Sequence, residues 1–473
     1  MRGEDVKPVL EREPQARAAG RRPSTSDTPG RCPGHGPTGA AREMRYLGVA
    51  VGFACSAVSA RAPGGRSRAS AIRVTLPTPS SPSSAEAGAS DALAGADASA
   101  LDMLPPVVPV AAVNAAVEVP VGWLLDKGSD ALRARVLLDL APGAIPDSAE
   151  AARRVALAHA PALRLAVAQD RDGCWPGGLL AVPAADDPAL EKAGTIPAVR
   201  RLLEYGWPAD APPFQTARRP LFRLLAEDAD PSVLMELRDE ATDEPRARAA
   251  RRRVREAAGA AVAQMGSESD PRLRGLAVRT LERVAAWMRT VDKAERTAEG
   301  VPVLPSVLPE EAAPPSSHLL LMLGHMPRFR SEQTEVLNRL LVLLATPAPS
   351  GVPKQRVGTQ AVPQPHLVLG DPVPQGLEPT GKALIPGLAW LEVLARLGAF
   401  RRSDRWRPVL DRLLDARDPD GRWTGRVSVP APDAFVWPVA ALGDPASAAA
   451  RAADVTFRLA LIARLAGHPL VLR

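Results

Sequence analysis

The chain has 473 residues, of which 46% are hydrophobic and only 4% aromatic. That is enough apolar material for a large core, and the dominance of Ala, Leu, Val and Arg suits helices better than sheets. The net charge of +6 resides in residues 1–75, which hold 13 Lys and Arg against 6 Asp and Glu and leave 46 against 47 for the remainder. A nearly neutral body gives no electrostatic case for nucleic acid, and the scattered Cys32, Cys55 and Cys174 exclude a disulfide framework or a Cys-x-x-Cys knuckle.

Residues 1–115 are rich in Arg, Pro, Gly and Ser, then in Ala and Ser, with no sustained helical period. They are expected to be a disordered tail. Within it, Tyr46 to Val58 follows Met44-Arg45 and precedes Ser59-Ala60, the pattern of a poor signal peptide if translation began at Met44. The run is internal and diluted by Gly, Ser and Cys, so a cytoplasmic protein is expected. No apolar run reaches the ~18–20 residues of a bilayer span, so stable membrane insertion is not expected.

Residues 116–473 are expected to be one helical domain. Val121–Leu125 opens it, Ala131–Leu140 reads as a helix, and a turn at Pro146-Asp147-Ser148 leads to another through Ala151–Ala160. After Ile196–Tyr205, Gly206 is a stop and Phe214–Leu225 a return helix. Ala250, Val254, Ala257, Ala258, Ala261, Val262 and Met265 keep one face apolar, as do Leu273, Leu276, Ala277, Leu281, Val284, Trp287 and Met288 beyond Asp270-Pro271. Leu319–Gly324 precedes a helix at Glu332–Leu344, and Leu391–Gly398 precedes one at Trp406–Leu414. The last helix is expected over Asp454–Ala466, capped by Asp454. Such helix pairs stack into solenoids or closed rings. Residues 301–317 and 346–382 interrupt them with prolines, and the second is too apolar around Leu367-Val368-Leu369 for a free linker. It is expected to be an ordered cover.

One pattern occurs twice. An apolar run ends in Asp-x-Asp-Gly-x-Trp at Asp170, Asp172, Gly173 and Trp175, and again at Asp418, Asp420, Gly421 and Trp423. Gly can end a helix in the left-handed region, and the Trp can be buried against the repeat it closes. With Gln169, the first copy reads Gln-x-x-x-Gly-x-Trp and resembles the repeat of the squalene and terpene cyclase and protein prenyltransferase β-subunit superfamily. That resemblance implies an all-α fold, an (α/α) toroid or barrel of helical hairpins, in which Gln169, Gly173, Trp175, Gly421 and Trp423 tie neighbouring helices. The second copy departs from it, with Arg417 in the Gln position.

The family's chemistry does not transfer. No Asp-x-Asp-Asp acid motif occurs, Asp186-Asp187 lacking the first Asp, and the Asp-rich magnesium motif is missing. Asp172 and Cys174 with a distant His are the literal elements of a zinc site, yet Asp172 is explained by turn chemistry, so no metal and no cofactor is expected. The Asp-x-Asp-Gly pair is not a calcium loop, since its Gly comes too early and no Glu occupies the twelfth position. His318 and His325, seven apart on one helix, share a face and are candidates for an acid/base or ligand pair. His366 and Asp371 are candidates on the Pro-rich segment. The run Arg246, Arg248, Arg251, Arg252, Arg253 and Arg255 reads as a solvated face among acidic neighbours. No Ser-His-Asp elbow or phosphate loop is present. The expectation is a toroid binding a prenyl-like or other apolar small molecule, without an identifiable catalytic motif. The alternative is a non-enzymatic helical-repeat scaffold that binds a protein partner.

Overall fold

The computed structural model describes residues 115–143, 147–183, 192–226, 244–297, 302–348, 352–424, 433–444 and 447–473. The tail, the segment Met44 to Ala60, Cys32, Cys55, Asp186-Asp187 and the side chains of Arg246 and Arg248 lie outside them.

The described residues are mostly helical. Strand β1 (Val117–Val119) is followed by α1 (Val121–Lys127) and α2 (Asp130–Arg135), which continues as a π-helical turn over Val136–Leu140. Next come α3 (Ser148–Ala158), α4 (Ala160–Val167), α5 (Thr195–Glu204), α6 (Pro212–Ala226), α7 (Glu244–Gln264), α8 (Pro271–Asp292), α9 (Ser317–Gly324), α10 (Pro327–Glu332) and α11 (Thr334–Leu344). The strands β2 (Lys354–Val357) and β3 (Gln360–Pro363) form a hairpin before α12 (Leu384–Arg396), α13 (Arg407–Asp415), α14 (Ala448–Leu465) and β4 (Leu470–Leu472). None of these helices is long and apolar enough to cross a membrane.

Burial sorts the helices into two kinds. Every residue of α9 is buried, as are nearly all of α5, most of α12, and residues 453–463 of α14. Helix α9 is apolar nearly all round, as an interior helix is expected to be, whereas α5 and α14 also bury charged residues, Arg200, Arg201, Glu204, Asp454 and Arg458. By contrast α3, α6, α8, α11 and α13 bury one face each. The α8 face is the one its spacing predicts, Leu273 through Met288, and it packs on α7, whose own stripe is buried as expected. Ser129, Asp270, Ser316 and Ser447 cap their helices through side-chain oxygens that accept backbone N–H groups. Neighbour relations link α5 to α7, α7 to α9, α9 to α12, α12 to α14, and α14 to α1 and the π-helical turn. At the two ends of the domain β1 pairs with β4 in parallel, Val117 opposite Leu470 and Val119 opposite Leu472.

Three expectations change. The final helix starts at Ala448, capped by Ser447, rather than at Asp454, because the alanines among residues 448–453 extend it by propensity and leave Asp454 buried in mid-helix. The single helix expected over Glu332–Leu344 is broken at Gln333. The second irregular segment holds an antiparallel hairpin, Lys354 paired with Pro363 around Gly358, whose φ is 59°. It bridges to Leu308 through Gln355, so the segment is ordered, as expected.

Candidate ligand site

The two Trp-terminated turns are built alike. The Asp170 N–H donates to the Cys174 carbonyl at 2.9 Å, and the Asp170 carboxylate accepts from the N–H groups of Asp172 and Cys174 at 2.9 Å each. Asp418 donates likewise to the Arg422 carbonyl at 2.8 Å and accepts from the Arg422 N–H at 2.7 Å. Trp175 and Trp423 are both buried, and each backbone N–H donates to a threonine hydroxyl, Thr195 at 3.1 Å and Thr456 at 2.9 Å. Gly173 and Gly421 have φ of 86° and 78°. A Cβ on Gly173 would stand 2.4 Å from the Thr216 carbonyl oxygen on α6, and one on Gly421 would stand 3.0 Å from that of Glu118 on β1. Gln169 reaches across to the Pro213 carbonyl at 2.9 Å, and Arg417 reaches the Glu118 carbonyl at 3.1 Å. These residues serve as joints between elements. The Cys174 thiol sits in the first joint, its pKa raised chiefly by burial and then by Asp170, which makes it a poor nucleophile.

The interior helices meet in a buried ion network. Arg135 of α2 binds Glu204 of α5 at 2.6 Å and also pairs with Asp139. Arg458 of α14 bridges Glu204 at 3.3 Å and Glu392 of α12 at 3.2 Å, and Arg396 binds Glu392 at 2.8 Å. Burial opposes ionisation of Glu204, but Arg135 and Arg458 outweigh it and hold the carboxyl well below its usual range. Asp454 lies 3.8 Å from the Arg458 Nε and is pushed up to about 6, first by burial, against the pull of Arg458. Beside the network, Arg200 donates to Gln264 and to the carbonyls of Ala434 and Phe435, and Arg201 to those of Trp437, Pro438 and Ala441. The interior helices therefore enclose a polar network as well as apolar side chains. Charged side chains of the interior helices have paired within and between helices because leaving any of them alone in the interior is costly.

Against this network opens a cavity of about 360 Å³, whose lining includes the polar residues Arg135, Asp139, Arg153, Glu204, Gln264, His325 and Arg396 and the apolar residues Leu138, Leu203, Trp207 and Pro208. Among the described residues, Arg135 bonds through Nε and Nη1 only, Arg396 through Nε and Nη2 only, and Gln264 through its oxygen. The remaining N–H donors of those three residues, carried by α2, α7 and α12, thus have no described partner. His325 comes directly after α9 and lines the same space; burial and then Arg396 keep its imidazole neutral, well below the usual histidine range.

The other candidates are placed elsewhere. His318, at the opposite end of α9 from His325, is buried and lies near His366 and Arg253 instead. Asp371 does not join His366. Its carboxylate accepts from the Trp406 indole at 2.9 Å, from Arg405 at 2.8 Å and from the Val373 N–H at 3.0 Å, which makes it a brace for α13. Among the described residues no three His, Cys, Asp or Glu side chains gather as a metal site would require. The arginine run is less solvated than expected: Arg251, Arg252, Arg253 and Arg255 are half-buried, with Arg252 on Glu310 at 3.2 Å and Arg255 on the Leu224 carbonyl at 2.9 Å.

Comparison with protein-family models, curated proteins and solved structures returns no match. The site thus rests on its own chemistry. Its principal residues, Arg135, Glu204, Glu392, Arg396 and Arg458, escape a motif search because, apart from Glu392 and Arg396 four positions apart on α12, they come from distant parts of the chain. A signal does exist, in that Glu392 stands in Leu388-Ala-Trp-Leu-Glu-Val-Leu394 and Arg458 in Val455-Thr-Phe-Arg-Leu-Ala-Leu461. Each charge stands in an otherwise apolar run with one opposite charge four positions away on the same helix, Arg396 for Glu392 and Asp454 for Arg458, so the pair is carried into the interior with the helix that buries it.

Proposed function

We propose that residues 116–473 form a closed (α/α) toroid of helical hairpins, of the architecture seen in the cyclase and prenyltransferase β-subunit superfamily. Its function is to bind a small prenyl-like molecule with an apolar body and an acidic head. Three observations support the closed circle over an open superhelical scaffold for a protein partner. The second joint meets β1 as the first meets α6, so the start of the domain completes its last hairpin. The parallel pairing of β1 with β4 ties the ends. Helix α9, nearly all of α5, most of α12 and residues 453–463 of α14 have the burial of an inner layer, with the one-faced helices as an outer one.

The ligand class is argued from the cavity, which is the single observation carrying this reading. Arg135, Gln264 and Arg396, on three helices and each with N–H donors lacking a described partner, line the cavity together with Trp207, Leu203 and Leu138, while the lining carboxylates Asp139 and Glu204 are already paired with Arg135. A carboxylate or diphosphate head satisfies the donors and a hydrocarbon the apolar side chains. The test is a titration with a prenyl diphosphate, a long-chain carboxylate and the parent prenyl alcohol, monitored by Trp207 fluorescence with Trp207→Phe as control. Saturable quenching by the two acids is expected, with Arg396→Gln weakening them about tenfold, the effect of losing one charged hydrogen bond, and leaving the alcohol unchanged. Absence of saturable binding by all three would refute the proposal.

A further inference from the structure

A second polar space lies between α7, α8 and the Pro-rich cover, away from the cavity just described. Arg252, Arg253, Glu256, Thr280, Arg283, Gln364 and His366 face it, and about 20 Å³ is free. That is room for one atom or one water, not for an organic molecule. Two buried atoms of its lining residues are without hydrogen-bond partners among the described residues, the Nε of Arg253 and the Nδ1 of His366.

Among the described residues the charge does not balance. Arg252 is matched by Glu310 at 3.2 Å, and Arg283 approaches Glu256 at 3.9 Å, while the Glu256 carboxylate also accepts from Ser316. Arg253 has no carboxylate among the described residues. An unmatched guanidinium that is half-buried costs free energy unless something meets it. We propose that this chamber is a binding site for a single small anion of halide size, held by Arg253, with the side-chain amide of Gln364 and the edge of His366 as its other neighbours. A water satisfies the hydrogen bonds but leaves the charge. The anion satisfies both, which is why it is preferred here. His366 supports a positive surround, since burial and then Arg253 bring it down to about 4, so that it stays neutral and leaves Arg253 as the cation.

The experiment compares thermal unfolding of the full chain in sodium chloride, sodium bromide and sodium gluconate at matched ionic strength. A ligand bound only by the folded state raises the melting temperature saturably, so chloride and bromide are expected to raise it by several degrees and gluconate, too large to enter, is not. Arg253→Gln removes the halide-specific rise while keeping the chain's length and polarity. Should that variant fail to fold, crystals of the unaltered protein soaked in bromide decide the matter by anomalous scattering: a peak in the chamber supports the site. Equal stabilisation by all three salts, or an ordered water only in the bromide-soaked chamber, overturns it. Neither outcome bears on prenyl-ligand binding at the first cavity, which is assayed separately.

Discussion

At the scale of single residues, the joint glycines separate two physical costs that usually travel together. Gly173 and Gly421 share nearly the same left-handed backbone, φ of 86° and 78°, so replacing either by Ala incurs a similar conformational penalty of ~1–2 kcal/mol. Their surroundings differ. The new methyl at residue 173 would lie 2.4 Å from a backbone oxygen, which cannot move without shifting α6, whereas at residue 421 it would lie 3.0 Å away. Gly173→Ala is therefore expected to be the more destabilising of the two by at least about 1 kcal/mol, as measured by urea denaturation of each variant; equal losses would mean that the contact is relieved by small movements. The joints were legible in the sequence because a turn that needs a left-handed glycine and a buried Trp leaves local traces. The Arg417 exchange was legible only as a departure. Its sense, a longer donor reaching the backbone of β1, depends on a partner about 300 residues away that no local pattern encodes.

At the scale of elements, the inner helices were found by their apolar runs, but what they hold was not. Arg200 and Arg201 stand side by side on α5 and donate to five backbone carbonyls of residues 434–441. Phe435 and Trp437 lie over the same two guanidinium groups, at 6.0 and 5.4 Å. Neither arginine has a carboxylate in hydrogen-bonding reach among the described residues, and burial brings Arg200 down to about 10, so it remains charged at neutral pH. The segment is thus fastened by cation-to-carbonyl bonds, each of which contributes roughly 1.5–3 kcal/mol. Arg201→Met keeps the stem and removes the donors. Amide hydrogen exchange at residues 435–441 is expected to accelerate at least tenfold in that variant while α5 keeps its protection, because opening of one segment need not unfold the rest. Uniform acceleration across α5 and α14 would instead make Arg201 part of the global core. The sequence missed this clamp for the same reason it put the start of α14 at Asp454. A polar residue beside an apolar run is ambiguous between a cap and a buried ion, and the choice is made by elements far along the chain.

At the scale of the whole molecule, packing so many ionisable groups inside makes stability depend on pH in a direction that can be worked out. His159 and His366 are brought down to about 4, in both cases chiefly by burial, and His318 falls well below the usual histidine range for the same reason. In the unfolded chain these imidazoles take up protons near pH 6.5, while in the folded chain they do not. The unfolded state therefore binds more protons, and stability is full above pH 6.5 and declines as the pH falls. At pH 5 the loss is roughly 2 kcal/mol for each of His159 and His366, and His318 and His325, lowered in the same direction chiefly by burial, add to it. Asp454 acts in the opposite sense. With its pKa raised to about 6, the folded state binds a proton that the unfolded state releases above about 4, so acidification through this window restores some stability. The net expectation is a fall of several kcal/mol between pH 7 and pH 5, measured as unfolding free energy in urea. Asp454→Asn, which cannot take up that proton, is expected to make the fall steeper by roughly 1 kcal/mol. A flat profile over this range would mean that the imidazoles are protonated in the folded protein, and the ion network at the centre of the domain would then need another source of negative charge.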